Sequence, residues 1–238
     1  MCSTRRRALR LVLGAVFPAF LLAPALPAAA QGQNKIVYDR FDWKIYSSTH
    51  FRIYHYGRGE AALGKVASMA ESAYDDLSRR LNYQVPKPIP LLFYVTHAEF
   101  EQNNIIMNFI PEGVGAFAEP ARNRMVLPID LPDEKLQNLI AHELTHIFQY
   151  EILFGGRLSR AITSNIPTWF MEGMASYFAN DEDEKDRMFI RDAVNSDQIP
   201  PITRVNIQGY PAYRFGHAFF DFIEAEDEID VVLDRVGD

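Results

Sequence analysis

The sequence predicts a single α+β domain over residues 31–238, and three observations point there. Runs rich in aromatic and β-branched residues are concentrated before Pro132, while helical spacing of apolar residues dominates after it. The order, strands first and helices later, favours this class over an alternating βαβ sheet. At 238 residues, with 48% hydrophobic and 23% charged content, the chain is long enough to bury a sizeable core and too apolar to be disordered.

The first 30 residues are set apart from that domain. Arg5, Arg6, Arg7 and Arg10 precede the apolar run Leu11 to Leu22, and the segment closes on Pro27-Ala28-Ala29-Ala30 before the polar Gln31-Gly32-Gln33. This is the layout of a signal peptide cleaved after Ala30, so the mature chain is expected to be exported, periplasmic or secreted. The apolar run falls short of the roughly 20 residues a spanning helix needs, and Pro18, Pro24 and Pro27 interrupt it, so no stable membrane span is expected after cleavage. The arginine cluster suits general secretion and the twin-arginine route, and both stay open.

The elements of the mature chain follow in order. Ile36 to Tyr56 contains two strand-like runs, Phe41 to Tyr46 and Phe51 to Tyr56, broken at Ser47-Ser48-Thr49, which reads as a hairpin. Between Gly59 and Leu81, Leu63, Val66, Ala70, Ala73, Tyr74 and Leu77 recur at spacings of three and four, the mark of an amphipathic helix. Pro86, Pro88 and Pro90 stop it, and Leu91 to Val95 reads as a short buried strand. Gly113 to Pro120 and Asn123 to Ile129 are extended candidates around Arg122-Asn123, a second hairpin. Pro132-Asp133-Glu134 opens a helix to about Phe154, with proline and acids in its first turn as the helix dipole favours. Two more helices are expected near Thr168 to Ala179 and Ala212 to Glu224.

Charge and cysteine content exclude several functions. Lys and Arg number 24 against 31 Asp and Glu, a formal charge of −7, so no basic footprint for nucleic acid is visible. Loss of the four leader arginines leaves 20 basic residues against 31 acidic ones, a mature charge of −11. The single cysteine, Cys2, leaves with them, which rules out disulfides, cysteine zinc sites and iron–sulfur clusters. A metal would have to be held by histidine and carboxylate.

His142-Glu143-Leu144-Thr145-His146 meets that condition. Histidines four apart on a helix are offset by about 40° and rise about 6 Å, so both imidazoles project from one face and can converge on one ion. Glu143, about 100° further round, is poorly placed as a ligand but can reach a water on the open side of the metal, as a general base. The pattern arises by chance in about one chain in a hundred of this composition. Leu136, Leu139, Ile140, Ile147 and Phe148 give the same helix a buried flank, which places the histidines at an interior surface. Catalytic zinc usually keeps three protein ligands, and the best third candidate is Glu172, a carboxylate in the otherwise apolar Trp169-Phe170-Met171-Glu172-Gly173-Met174-Ala175. An unpaired carboxylate there would cost several kcal/mol to bury, and a cation is its simplest partner; an arginine or lysine partner is the plainer alternative.

His142-Glu143-x-x-His146 followed by Trp169-x-x-Glu172-Gly173-x-Ala175 resembles the gluzincin metallopeptidases, particularly the aminopeptidase N family and exported peptidase MA-like domains with a thermolysin-like (zincin) catalytic fold. The resemblance covers about Asp133 to Ile223. It implies a small N-terminal sheet followed by a helical part carrying the His142–His146 helix, with Zn2+ bound by His142, His146 and Glu172 and water activated by Glu143. Tyr213-Arg214-Phe215-Gly216 resembles the family's Tyr-x-x-Gly element, which implies that the Tyr213 hydroxyl stabilises the oxyanion. Tyr210 and His217 are substitutes for it, and a core tyrosine packed with Phe220 and Ile223 is the plain reading. The interval from His146 to Glu172 is longer than the family's, with Gly155 to Ile166 as the extra loop. The family's amine-anchoring exopeptidase motif is only faintly echoed by Gly115-Ala116-Phe117-Ala118-Glu119, so endo- and aminopeptidase action both stay open, although that strand could pair with an extended peptide.

The expected function is therefore an exported zinc metallopeptidase acting on peptide or protein substrates, with its oligomeric state open. The rival is a non-catalytic, zinc-containing peptide- or envelope-binding module. Similar domains stand ahead of a β-propeller in longer exported bacterial proteins, and the sequence fits either a fragment or a short form. Two groups are set aside. Asp181 to Asp186 lacks an EF-hand's glycine and reads as a solvated acidic loop. His50, His55 and His97 read as surface or loop residues.

Overall fold

A computed structural model describes residues 39–103, 105, 115–155, 165–201 and 207–225. The expected signal peptide with Cys2, most of the Gly155 to Ile166 connection and the segment after Ala225 lie outside them. Strands β1 (Lys44–Ser47) and β2 (Phe51–His55) form the expected antiparallel hairpin. A 3-10 turn (Gly57–Ala62) leads into helix α1 (Leu63–Arg80), which buries Val66, Ala70, Ala73, Tyr74 and Leu77 of the residues its spacing singled out and leaves Leu63 partly buried. Strand β3 (Ile89–Tyr94) and the short helix α2 (His97–Phe100) follow, then the hairpin of β4 (Phe117–Glu119) and β5 (Arg124–Pro128). The rest is helical: α3 (Asp133–Phe154), α4 (Thr168–Ala179), α5 (Glu184–Asn195) and α6 (Tyr210–Ala225).

The sheet runs β1-β2-β3-β5-β4. Its two hairpins are antiparallel, but β2 pairs parallel with β3 and β3 parallel with β5. This corrects the expectation of separate strand and helix blocks, because α1 is the crossover of a βαβ unit. The inner strands show why: parallel strands covered on both faces become nearly continuous in apolar residues, as in Leu91-Leu92-Phe93 and Met125-Val126-Leu127. One face packs beneath α1 and α3 through Phe51, Ile53, Leu91, Phe93, Met125 and Leu127. The other carries a smaller cluster in which Phe41 and Trp43 cover Tyr56, Tyr94 and Phe100.

Two helices were not expected. Thr96 caps α2 in a capping box with Glu99. Asp183 caps α5 in the same way, with its side chain accepting from Lys185 N and Asp186 N while Asp186 reaches back to Asp183 N. The acidic stretch is thus largely a helix start, where carboxylates satisfy the free N–H groups and oppose the helix dipole, and it is only partly solvated. His55 also departs from expectation: the alternation that buries Phe51 and Ile53 buries it as well, at 4% exposure. His50 is half-buried, stacked on Tyr74 with its Nδ1 2.6 Å from Glu71 Oε2, and His97 lies against Phe100. Among the described residues no helix is long and apolar enough to cross a membrane.

Candidate metal centre

The centre is built on the middle turns of α3, which are buried from His142 through Gln149. Apolar neighbours at Leu144, Ile147 and Phe148 anchor that part of the helix in the core, and Gly155, in the left-handed region at φ 57°, ends it. His142 and His146 face α4, which presents Glu172. Glu172 Oε2 lies 3.4 Å from His142 Nε2 and 3.4 Å from His146 Nε2, and the candidate ligand atoms all fall within 4.8 Å of one another.

The donor set fits a cation. Glu172 Oε2 faces both imidazoles yet is buried without a hydrogen-bond partner, and so is Glu143 Oε2. Two ligands each about 2.0–2.1 Å from a tetrahedral ion are about 3.4 Å apart, the spacing seen from Glu172 to each histidine. The far sides of the rings are also provided for. His146 Nδ1 lies 2.8 Å from Gln149 Oε1, and Gln149 Nε2 donates to Met171 O at 2.9 Å, which fixes the amide with its oxygen toward the ring. His142 Nδ1 lies 3.3 Å from Asp181 Oδ2. With acceptors on both Nδ1 atoms, each ring in its neutral form keeps its proton there and turns the Nε2 lone pair toward Glu172.

Burial and close opposite charges strongly perturb the ionisation of these groups. Burial disfavours a charged His142, but the Asp181 and Glu172 carboxylates outweigh it and raise its pKa to about 10. Burial opposes ionisation of Glu172 too, yet the two imidazoles 3.4 Å from its Oε2 hold it well below the usual carboxylate range. Asp181 falls to about 2 against the opposing effect of burial, through His142, Ser176 and Arg214. Glu143 is pushed up by burial, an effect that the histidines only partly offset.

Glu143 and Tyr213 line both clefts that meet at this centre, one of about 600 Å³ toward Leu139 and Tyr210, the other of about 350 Å³ toward Tyr150 and Met171. The Tyr213 ring stacks on His142 at 5.7 Å and 17°, and its phenol is raised by burial and by the neighbouring Glu172 carboxylate. The two substitutes are engaged elsewhere: Tyr210 Oη donates to Asp186 Oδ1 at 2.6 Å, and His217 Nδ1 pairs with Ser176 Oγ at 2.9 Å. Ala116 and Ala118, flanking and within the outer strand β4, line the clefts, whereas Glu119 is paired with Arg124 at 2.6 Å.

Sequence reasoning missed Gln149, Asp181 and Arg214. Gln149 had a signal, since it stands three residues after His146 on the same helix. Asp181 had none, because its role depends on a contact between segments far apart in sequence.

Comparisons of the chain with protein-family models, with curated proteins and with solved structures return no match. The fold and site themselves define an α+β domain with a mixed five-stranded sheet and six α-helices among the described residues. On it, His142, His146 and Glu172 form a cluster that could hold a metal ion.

Proposed function

We propose that this chain is an exported zinc metallopeptidase of the gluzincin type, with a thermolysin-like catalytic domain, acting on peptides or proteins. The observation that carries the proposal is Glu172 Oε2, buried, unpartnered and equidistant from the Nε2 atoms of His142 and His146. Two imidazoles and one carboxylate are a ligand set that suits zinc. A zinc ion held there supplies Lewis-acid polarisation of the scissile carbonyl and acidifies a water.

The chain's own residues do the rest. Gln149 and Asp181 orient the two imidazoles. The Glu143 carboxylate, made more basic by burial, takes a proton from the attacking water and passes it to the departing amine. Tyr213, whose raised pKa keeps its hydroxyl protonated at neutral pH, donates a hydrogen bond to the developing oxyanion. The outer strand β4 offers backbone N–H and C=O groups to an extended peptide crossing the clefts. The signal-peptide layout of residues 1–30 supports export.

Glu143→Gln tests the reading. The variant should retain about one equivalent of zinc while peptide cleavage falls by at least about a hundredfold. Wild-type protein that is fully loaded with zinc and cleaves nothing in a broad peptide library would instead favour the binding-module reading.

A further inference from the structure

We propose that Arg214 is a positioning residue for the metal centre: it fixes Asp181 as the acceptor for the Nδ1 proton of His142, and metal affinity depends on that link. This rests on the metal-centre reading above and adds residues that the ligand motif does not contain.

Asp181 needs fixing. It follows Asn180, which ends α4 in the left-handed region at φ 49°, so it stands on a connection outside any helix. Its carboxylate is nevertheless held from several sides. Arg214 Nη2 donates to Oδ1 at 3.0 Å, the Ser176 hydroxyl donates to the same oxygen, and Oδ2 is left facing His142 Nδ1 at 3.3 Å. Ser176 has one proton to give, so its oxygen accepts from His217 Nδ1 at 2.9 Å. The hydroxyl is thereby committed to Asp181.

Arg214 is itself fixed. It is 7% exposed, and its Nη1 donates to Asp186 Oδ2 at 2.9 Å. Asp186, also buried, accepts from Tyr210 Oη and belongs to the capping box that starts α5. One planar guanidinium thus spans two carboxylates on different segments, which a point-charge ammonium does poorly. Arg214 also follows Tyr213 directly, so one turn of α6 carries both the ring stacked on His142 and the group that fixes its acceptor. Outer partners of a ligating histidine set its tautomer and orientation, and their loss typically costs 10- to 100-fold in metal affinity.

A double-mutant cycle on the full chain tests this, read by chelator competition for zinc and by the visible spectrum of the cobalt-loaded protein. Asp181→Asn and Arg214→Gln should each weaken zinc binding about 10- to 100-fold and change the cobalt band, and the double variant should bind no worse than Asp181→Asn alone. Arg214→Lys keeps the buried charge and carries the same comparison if Arg214→Gln does not fold; it should lose about as much affinity, because it cannot bridge both carboxylates. Unchanged zinc affinity in the Arg214 variants, or losses that add fully in the double variant, would overturn the proposal. A wild-type chain that takes up neither zinc nor cobalt would instead overturn the metal-centre reading, and this role with it.

Discussion

Gly173 and Gly216 meet backbone to backbone where α4 crosses α6. A Cβ on Gly173 would lie 2.3 Å from Gly216 Cα, and one on Gly216 would lie 2.2 Å from Trp169 O and 2.5 Å from Gly173 Cα. No side chain fits between the helices at this point. The close approach brings Glu172, beside one glycine, and Tyr213, one turn before the other, to the same cleft. The glycines of Glu172-Gly173 and Tyr213-x-x-Gly216 are therefore packing conditions for placing those two side chains.

Gly173→Ala should separate the helices, because the obstructing atoms are backbone and cannot rotate away. Overpacking of this kind costs about 1–3 kcal/mol, and Tm should fall by about 3–10 °C in thermal unfolding followed by circular dichroism. Zinc affinity should fall in the same variant as Glu172 moves off the histidines. An unchanged Tm would mean that the crossing is looser than its geometry.

Gly64→Ala is the contrasting substitution. Gly64 is exposed in the first turn of α1, and a Cβ there meets nothing within 4 Å. Alanine should raise stability by up to about 1 kcal/mol through helix propensity and reduced freedom of the unfolded chain. Denaturant midpoints would measure it, and a loss would show that the start of α1 is strained.

Tyr213→Phe keeps the ring on His142 and removes only the hydroxyl. If that hydroxyl binds the oxyanion, kcat should fall about 10²- to 10³-fold with KM and zinc content little changed. A rise in KM alone would make Tyr213 a substrate-binding residue.

The parts of this molecule that were legible in its sequence are those that periodicity or short spacing can encode. The helices from Asp133, Thr168 and Tyr210 follow from apolar residues at three and four, and the His142–His146 pair follows from one helical turn. The parallel pairing of β2 with β3 was not legible, because a continuous apolar run such as Leu91-Leu92-Phe93 does not specify its neighbour. Asp181 and Arg214 were illegible for a related reason: each is an ordinary surface type in sequence and becomes a site residue only when α4 and α6 meet. The start of α5 was legible in Asp183-x-x-Asp186, a capping box written with two aspartates, but the acidic density of the stretch masked it.

Glu119 bears on whether the chain acts on free amino termini. Its carboxylate pairs with Arg124 at 2.6 Å and is largely shielded from solvent, so it is committed and unavailable to a substrate ammonium. Peptides with acetylated amino termini should be cut as readily as free ones, within about threefold in kcat/KM, a difference below 1 kcal/mol. Strong preference for free amino termini, read by mass spectrometry of paired substrates, would show that another acid anchors the amine.

The metal-free protein should lose stability from neutral to basic pH, opposite to the trend in zinc binding. His142 is raised from 6.5 to about 10 by Asp181 and Glu172 against the effect of burial, so its contribution is complete below about pH 6.5 and lost as pH climbs through 10. Asp181 is lowered from 3.8 to about 2, so its contribution is present above about pH 4 and lost as pH falls through 2. With chelator present, Tm should therefore peak between about pH 4 and 6.5. Zinc requires neutral imidazoles, so the gain in Tm on adding it should grow from about pH 6.5 toward 10 as the His142 proton leaves. Melting curves across that range, with zinc and with chelator, separate the two. A metal-free Tm that stays flat from pH 6.5 to 9 would show that His142 is not held as a cation, and that Asp181 and Glu172 do not stabilise it in the way their distances imply.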